Sequence, residues 1–220
     1  MACCIRLFFV VMATIVCRPV AIAQIPVEVF AGHKKATADI MFFRVIKNKK
    51  GQHSRFLFFN RNRASIDYAM TTTSKLPQFG FTEAFSYNHE KLNGFAPVLV
   101  AGILNSGLYP KAGIQLAKTR HEFSIFTWIV AETRKAPNVD FFFLARYTPV
   151  LTDKLKLFSQ IELVNAFPTT EKNNFSFTQR LRLGIAVKAF QFGAGLDLSQ
   201  FGKTEFAITE NVGGFLRYEF

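Results

Sequence analysis

Apolar and polar residues alternate along much of this chain. From Phe175 to Val187 the odd positions are apolar except for Gln179, while the even positions are small, polar or charged. The stretch from Phe190 to Ser199 repeats the pattern. Because successive side chains of a β-strand point to opposite faces, alternation with period two predicts strands with one apolar and one polar face. The sequence therefore predicts an all-β fold.

Turn-like stretches divide the alternating regions into separate predicted strands. Eleven such segments are evident, namely Ala38–Ile46, Ser54–Tyr68, Pro77–Tyr87, Phe95–Asn105, Lys111–Thr119, Glu122–Thr133, Val139–Thr148, Lys154–Asn165, Asn174–Val187, Ala189–Ser199 and Asn211–Phe220. Most hold about 10 to 14 residues, whereas a globular strand usually has five or six and a tilted bilayer crossing needs about 9 to 11. Their length favours a membrane protein, although the alternation is poor across 111–133.

The first residues are typical of a secretory signal peptide. Arg6 is followed by the apolar stretch Leu7–Cys17 and then by Ala21-Ile22-Ala23, a small-residue cleavage pattern. We therefore expect a signal peptide at 1–23 and a single domain at 24–220.

All the cysteines of the chain lie in this predicted signal, at Cys3, Cys4 and Cys17. The exported chain is thus expected to contain no disulfide and no reactive thiol. A lipoprotein signal that uses Cys17 is the competing interpretation. It is disfavoured because the bulky Val16 stands directly before that cysteine, where a small residue is needed.

The chain is basic, with 27 Lys and Arg against 15 Asp and Glu, a net charge of +12. The signal contains Arg6 and Arg18 and no acid, so the exported chain keeps a charge of +10. After the signal no run of about 18 apolar residues occurs, which argues against a helical membrane protein. We expect an exported protein to meet lipopolysaccharide phosphates, anionic solutes or solvent rather than nucleic acid.

The chain ends in an alternating segment in which Leu216, Tyr218 and Phe220 share one face. This segment resembles the C-terminal assembly signal of bacterial outer-membrane β-barrel proteins. The abundance of phenylalanine, 27 residues, is similar to barrels of the Bacteroidota. The resemblance implies a Gram-negative outer-membrane location, recognition by the barrel assembly machinery, and a C-terminus on the periplasmic side.

A barrel with both ends in the periplasm has an even number of strands, so the resemblance adds a first strand at Val27–Ala31. We therefore expect an antiparallel transmembrane β-barrel of about 12 strands, with 10 as the alternative if the first two segments do not cross. Only a closed barrel allows strands to pair all their backbone groups in lipid. A soluble periplasmic β-sandwich is the competing fold, but it would need a second layer to cover every apolar face.

If the apolar faces point outward, the polar faces line the lumen. The candidate pore-lining residues are Arg61, Arg63, Asp67, Arg146, Lys156, Glu162, Arg180 and Arg182. Their arginine surplus would lower the electrostatic cost of anion entry, which predicts a small porin-like channel with an anion preference. Alternatively the same groups pair across the lumen and the barrel is a non-conducting scaffold or accessory subunit of an envelope complex. We interpret the polar run Asn60–Arg63 as the place where its strand leaves the hydrocarbon region.

An outer-membrane lipid-modifying enzyme is a further alternative, which would need a serine and a histidine close together. His53, His89 and His121 fall in predicted turns, and His33 has no serine near it in sequence. His121 and Ser124 have opposite parity and would face different sides of a strand. No recurring spacing of metal-binding residues is evident. We expect no catalytic residue, no metal site and no cofactor.

Overall fold

A computed structural model describes residues 25–69, 78–133, 137–171 and 174–220 of the chain. The predicted signal peptide, 1–23, lies outside these described residues. In the described ranges no helix is long and apolar enough to cross a membrane.

The described chain consists almost entirely of strands. They are β1 (Pro26–Gly32), β2 (Lys35–Lys47), β3 (His53–Asp67), β4 (Gln78–Tyr87), β5 (Phe95–Leu104), β6 (Gly107–Thr119), β7 (Phe123–Glu132), β8 (Asn138–Tyr147), β9 (Val150–Thr152), β10 (Leu155–Pro168), β11 (Phe175–Val187), β12 (Phe190–Gly202) and β13 (Phe206–Glu219). A short 3-10 helix, Glu90–Leu92, lies between β4 and β5.

Twelve of these strands form one closed antiparallel barrel. Each pairs with the next along the chain, β8 pairs with β10, and β13 pairs with β1 to close the sheet. The three-residue β9 pairs with β10 at the edge of the barrel. The predicted twelve-stranded all-β barrel is confirmed. We call the end where β1 begins and β13 ends the terminus end, and the opposite end the far end.

The predicted strands match the observed ones best in their centres and least well at the far end. The segment Val27–Ala31 is part of β1, and the poorly alternating region 111–133 forms β6 and β7. The region 199–211, predicted as a turn, instead continues the β12–β13 hairpin, whose pairing extends to Gly202 and Phe206. Polar residues there interrupt the apolar alternation, but they do not interrupt backbone pairing.

The outer surface of the barrel is apolar. Leu99 is 68% exposed and Leu183 is 60% exposed, although both side chains lie in the middle of strands. Exposed aromatic rings lie near both ends: Phe56, Tyr87, Phe95, Phe123, Tyr147, Phe190 and Phe220 at the terminus end, and Tyr68, Phe79, Phe167 and Phe206 at the far end. An apolar band between two aromatic girdles is the surface of a transmembrane barrel.

Two glycines bring β11 and β12 into close contact. In register across the sheet, Phe158 is followed by Gly184, Gly193 and Phe215. A Cβ on Gly193 would overlap the backbone of β11, so this position requires a glycine. The rings of Phe158 and Phe215 lie 5.5 Å apart, across the bare glycine pair that separates them in the register. The strands therefore approach closely at the two glycines, and the rings of Phe158 and Phe215 cover the inner surface that the glycines leave without side chains.

Candidate functional site in the barrel lumen

The inward-facing side chains divide the lumen into two halves. One half, which we call the charged strip, consists of Glu28, Asp39, Arg61, Arg63, Arg146, Glu162, Arg180, Arg182, Asp197, Arg217 and Glu219. The other half, the aromatic core, consists of Phe43, Phe59, Phe126, Trp128 and Phe142 with the aliphatic residues around them. The strip follows β1–β3, β8 and β10–β13, whereas the core joins β2 and β3 to β7 and β8.

Arg61 spans the full width of the lumen. It projects from β3, and its guanidinium lies 2.5 Å from Asp39 on the neighbouring β2 and 2.8 Å from Glu162 on β10. In the strand order, β3 and β10 are on opposite sides of the barrel. Arg180 contacts the same Glu162 carboxylate. Glu162 is 1% exposed, so these charges are withdrawn from bulk water and each depends on its partners.

Asp197 is the second junction of the charged strip. Its carboxylate lies 2.8 Å from Arg182, 3.2 Å from Arg63 and 3.8 Å from Arg180. Arg182 in turn lies 2.9 Å from Glu28 on β1. With the pairs of Arg61 and Arg217, these contacts join seven strands, β1–β3 and β10–β13, into one network, in which moving one arginine disturbs several carboxylates.

Near the terminus end the charges of the arginines are less well neutralised by nearby carboxylates. Arg146 and Arg217 both donate to the side-chain oxygen of Gln160, at 3.1 and 3.0 Å. Both guanidinium groups also lie within 6 Å of the Phe158 ring centre, at 5.8 and 5.5 Å. The carboxylate nearest to Arg146 is Glu219, at 3.9 Å. Positive charge is therefore concentrated in this part of the strip.

The charged strip is filled by its own side chains. Its six arginines and five carboxylates have a formal balance of +1. The cavity that remains between Glu28, Asp39 and their neighbours measures about 10 Å³. Such a space is about the size of one water molecule. In this state the strip is a closed set of ion pairs rather than an open passage.

The aromatic core closes the other half of the lumen. Phe126 is fully buried, and the rings of Phe43 and Phe59 stack on it with centres 5.4 and 5.0 Å away. Trp128 and Phe142 approach the Phe126 ring edge-on, at 5.4 and 5.9 Å. The two stacked contacts cross the lumen from β2 and β3 to β7, whereas Trp128 and Phe142 lie on β7 itself and on the neighbouring β8. Offset and edge-on arrangements are the favourable geometries for aromatic pairs, so this half of the lumen is well packed.

Between the aromatic core and the far end lies a cavity of about 210 Å³, which we call the far-end cavity. Phe59, Trp128 and Phe142 form its inner wall, while Lys111 and Asp140 line its outer part. It is therefore apolar at its base and charged towards the far end.

Six of the eight predicted pore-lining residues belong to the charged strip. These six are Arg61, Arg63, Arg146, Glu162, Arg180 and Arg182. The other two lie at opposite ends of the barrel, since Asp67 is the last residue of β3 and the exposed Lys156 is the second residue of β10. The structure thus brings six of them together, but as ion pairs.

Sequence reasoning missed several members of the strip. Glu28 and Asp39 were not recognised because alternation in β1 and β2 is short, and both carboxylates reduce the arginine surplus that we expected. For Asp197 and Arg217 a signal was present, because each occupies the polar face of a clearly alternating segment. Phe142 blurs the polar face of β8 in the sequence, and the reason is its place in the aromatic core.

The polar run Asn60–Arg63 lies in the middle of β3, so our interpretation of it as the end of a membrane crossing is wrong. Its arginines point into the lumen, and its asparagines occupy the alternate, outward-facing positions. Asn60 donates to Glu83 on β4, and Asn62 donates to Asn60 at 3.1 Å. Polar groups on an apolar outer surface satisfy one another by hydrogen bonding.

Two of the histidines accept hydrogen bonds from the backbone at a strand end or in a turn. The His33 ring accepts a hydrogen bond from the Val212 backbone at 3.0 Å, and the His89 ring accepts one from the Lys91 backbone at 3.2 Å. Within the described ranges, no cluster of three or more His, Cys, Asp or Glu side chains is placed to hold a metal ion.

The fold and the lumen define a closed antiparallel β-barrel whose interior is filled by its own side chains. No protein-family model and no curated protein sequence matches the chain. Among solved structures the chain is similar to the NanC porin, with a TM-score of 0.53 and 5% identity over 90% of this chain and 100% of that one. It is also similar to the KdgM porin in complex with disordered oligogalacturonate, with a TM-score of 0.48 and 11% identity over 90% and 99% of the two chains. At this identity the likeness to NanC shows a shared barrel fold.

Proposed function

We propose that this protein is an integral β-barrel of a Gram-negative outer membrane, with its terminus end in the periplasm. The apolar outer band, the aromatic girdles and the barrel fold shared with the NanC porin support this location. Leu216 and Phe220 are exposed at the terminus end, and the Tyr218 ring lies 4.6 Å from that of Phe220. These three side chains are accessible to the barrel assembly machinery as its recognition signal. The basic charge of the chain suits contact with lipopolysaccharide.

We further propose that the barrel is a narrow channel for small solutes, with a preference for anions, and that the charged strip is its path. The observation that carries this proposal is the series of arginines along the charged strip, from Arg63 near the far end to Arg146 and Arg217 near the terminus end. Guanidinium groups can pass an anion from one to the next, because each offers several donors. The aromatic core excludes water and leaves the strip as the polar route.

Opening requires that ion pairs exchange carboxylate partners for solute or water. The strip in its present state leaves a space of about 10 Å³, so conduction depends on a rearrangement of side chains such as Arg61, which spans the lumen. Interfaces built from discrete ion pairs switch between arrangements rather than deform continuously. A gated channel is therefore expected, with brief openings rather than a constantly open pore.

A non-conducting barrel is the second candidate, and the dense packing of the lumen favours it. Ion pairs fill one half and stacked rings fill the other. Such a barrel would present its ends or its outer surface to another envelope protein as a scaffold. The same ion pairs would then hold opposite walls together without ever separating.

Conductance of the refolded, signal-free chain in planar lipid bilayers tests the two candidates. A heat-modifiability gel on the same sample establishes that the barrel is folded. Discrete current steps that reverse at a potential favouring anions support the channel. A folded barrel that stays silent up to about 200 mV, a potential worth about 2.3 kcal/mol per charge for each 100 mV, supports the scaffold instead.

A further inference from the structure

The far-end cavity is a large space in an otherwise tightly packed lumen. At about 210 Å³ it exceeds the roughly 150 Å³ cavity that suffices to hold benzene in an engineered protein. Protein interiors are normally filled as closely as organic crystals. A space of this size, adjacent to an aromatic cluster that is itself well packed, suggests that something other than the chain occupies it.

A glycine helps to keep the cavity open. Gly102 on β5 lines it, and a Cβ at this position would meet the Tyr109 backbone oxygen at 3.6 Å and the Lys111 side chain at 4.0 Å. These are ordinary van der Waals distances, so a larger residue would fit here without strain. The glycine is thus not required by the backbone, in contrast to Gly193.

The walls of the cavity suit an apolar ring. Trp128 is 7% exposed and Phe142 is 3% exposed, and both turn aromatic surface towards the space. Val100 and Val130 complete the apolar lining. A flat or puckered ring of five or six atoms would bury its surface against these side chains.

The charged edge of the cavity determines which polar group a ligand with an apolar ring could carry. The Lys111 ammonium contacts Asp140 and lies 3.6 Å from Glu132, so one cation faces two carboxylates. Arg61, which also lines the cavity, is already paired with Asp39 and Glu162. The Oδ1 atom of Asp140 is buried and has no hydrogen-bond partner among the described residues, so it can accept a hydrogen bond from a bound amine. The adjacent aromatic faces also attract cations.

We propose that the far-end cavity binds a small organic cation, an apolar ring that carries an amine. The ring packs on Trp128 and Phe142, and the amine hydrogen-bonds to Asp140 beside Lys111. The site adjoins the charged strip at Arg61, but the side chains that hold the ring and the amine lie outside the strip, so binding does not require that the barrel conducts.

Trp128 is the one tryptophan of the chain and lines the cavity, so its fluorescence emission can report ligand binding there. The refolded signal-free barrel is titrated with cyclohexylmethylamine, with its neutral analogue cyclohexylmethanol, and with cyclohexanecarboxylate, none of which absorbs near 295 nm. We expect the amine to change Trp128 emission and to bind at least ten-fold more tightly than the alcohol, with the carboxylate weakest. Absence of any response to the amine, or equal affinity for amine and alcohol, overturns the proposal.

Two variants locate the binding, and a heat-modifiability gel confirms that each is folded. Asp140→Asn should lower the preference for amine over alcohol at least three-fold while leaving alcohol affinity within two-fold. Gly102→Leu should fill the cavity and weaken the amine at least ten-fold, whereas Gly214→Ala, outside the cavity and without a steric conflict, should bind as the original chain does. If Gly102→Leu binds the amine unchanged, the response comes from elsewhere. If the carboxylate binds most tightly, Lys111 is the recognition group and the organic cation is ruled out.

Discussion

The two halves of the lumen are filled by opposite means. In the charged strip, Arg61 meets two carboxylates from opposite walls, and every contact has a required partner and direction. In the aromatic core, Phe126 is surrounded by four other rings that contact it face-on or edge-on. Charge pairing determines which side chains fit in the charged strip, whereas the space to be filled determines which side chains fit in the aromatic core.

The difference predicts different tolerance to change. Removal of one member of a buried ion-pair network leaves its partners charged and uncompensated, which is expensive in a medium of low dielectric constant. Exchange of one apolar side chain for another of similar volume disturbs only packing. Near-isosteric substitutions in the two halves should therefore have unequal effects on stability.

The largest effect is expected for Glu162→Gln. The amide keeps the size of the side chain but leaves Arg61 and Arg180 without their shared carboxylate and places a donor against two donors. We expect a loss of about 3–5 kcal/mol in the free energy of unfolding. Urea unfolding of the barrel in lipid vesicles, followed by Trp128 emission, measures it.

The control for this substitution replaces both members of the pair that crosses the lumen. Arg61→Met combined with Glu162→Met removes the charges together, so much of the penalty should disappear. A Glu162→Gln barrel that unfolds at the same urea concentration as the original would show that water reaches these charges and that the strip is open.

A smaller loss is expected for Gly193→Ala, in the wall beside the strip. The added Cβ overlaps the β11 backbone, and the strands must separate there, at a cost of about 1–3 kcal/mol. Gly214→Ala is the matched control on the neighbouring strand, because its Cβ would lie 3.6 Å from the Gly193 oxygen. Equal unfolding midpoints for the two variants would contradict the close approach of β11 and β12 at Gly193.

The next effect in size concerns the aromatic core. Phe126→Leu keeps most of the volume and loses stacking with Phe43 and Phe59, so we expect about 1–1.5 kcal/mol of destabilisation. The same unfolding assay applies, and ion selectivity in bilayers should not change. A loss as large as that of Glu162→Gln would mean that the two halves are equally specific and that the comparison between them fails.

The barrel itself follows from the sequence, because alternation in segments such as 175–187 is a local property of the chain. The even number of strands implied by the resemblance to outer-membrane barrels then required a strand near Val27, and β1 is present there. The ends of β12 and β13 were not predictable in this way, since hairpin pairing continues through residues whose polarity suggests a turn.

The interior is harder to derive, because it depends on which strands face each other. Alternation identifies inward positions such as Arg180 and Asp197, but it contains no information on contacts between residues far apart in sequence. Phe142 illustrates the limit, since an aromatic residue on a polar face looks like an irregularity until β3 and β7 are placed beside it. The pairing of Arg61 with Glu162 likewise requires that β3 and β10 lie opposite each other.

The smallest expected change in free energy concerns the ion selectivity of the charged strip when it opens. Arg180→Gln together with Arg182→Gln changes the formal charge of the strip from +1 to −1, while the glutamines retain bulk. The anion-to-cation permeability ratio should fall about three- to five-fold, which corresponds to less than about 1 kcal/mol, because an open lumen is hydrated and screened. Reversal potentials in a salt gradient measure the ratio in single openings.

Arg44→Gln is the control for this double variant. Arg44 is exposed on the outer surface, so the substitution removes charge from the chain without changing the strip and should leave the permeability ratio unchanged. An unchanged ratio in the double variant would place the conducting path outside the charged strip, and equal shifts in both variants would assign selectivity to the overall charge of the protein.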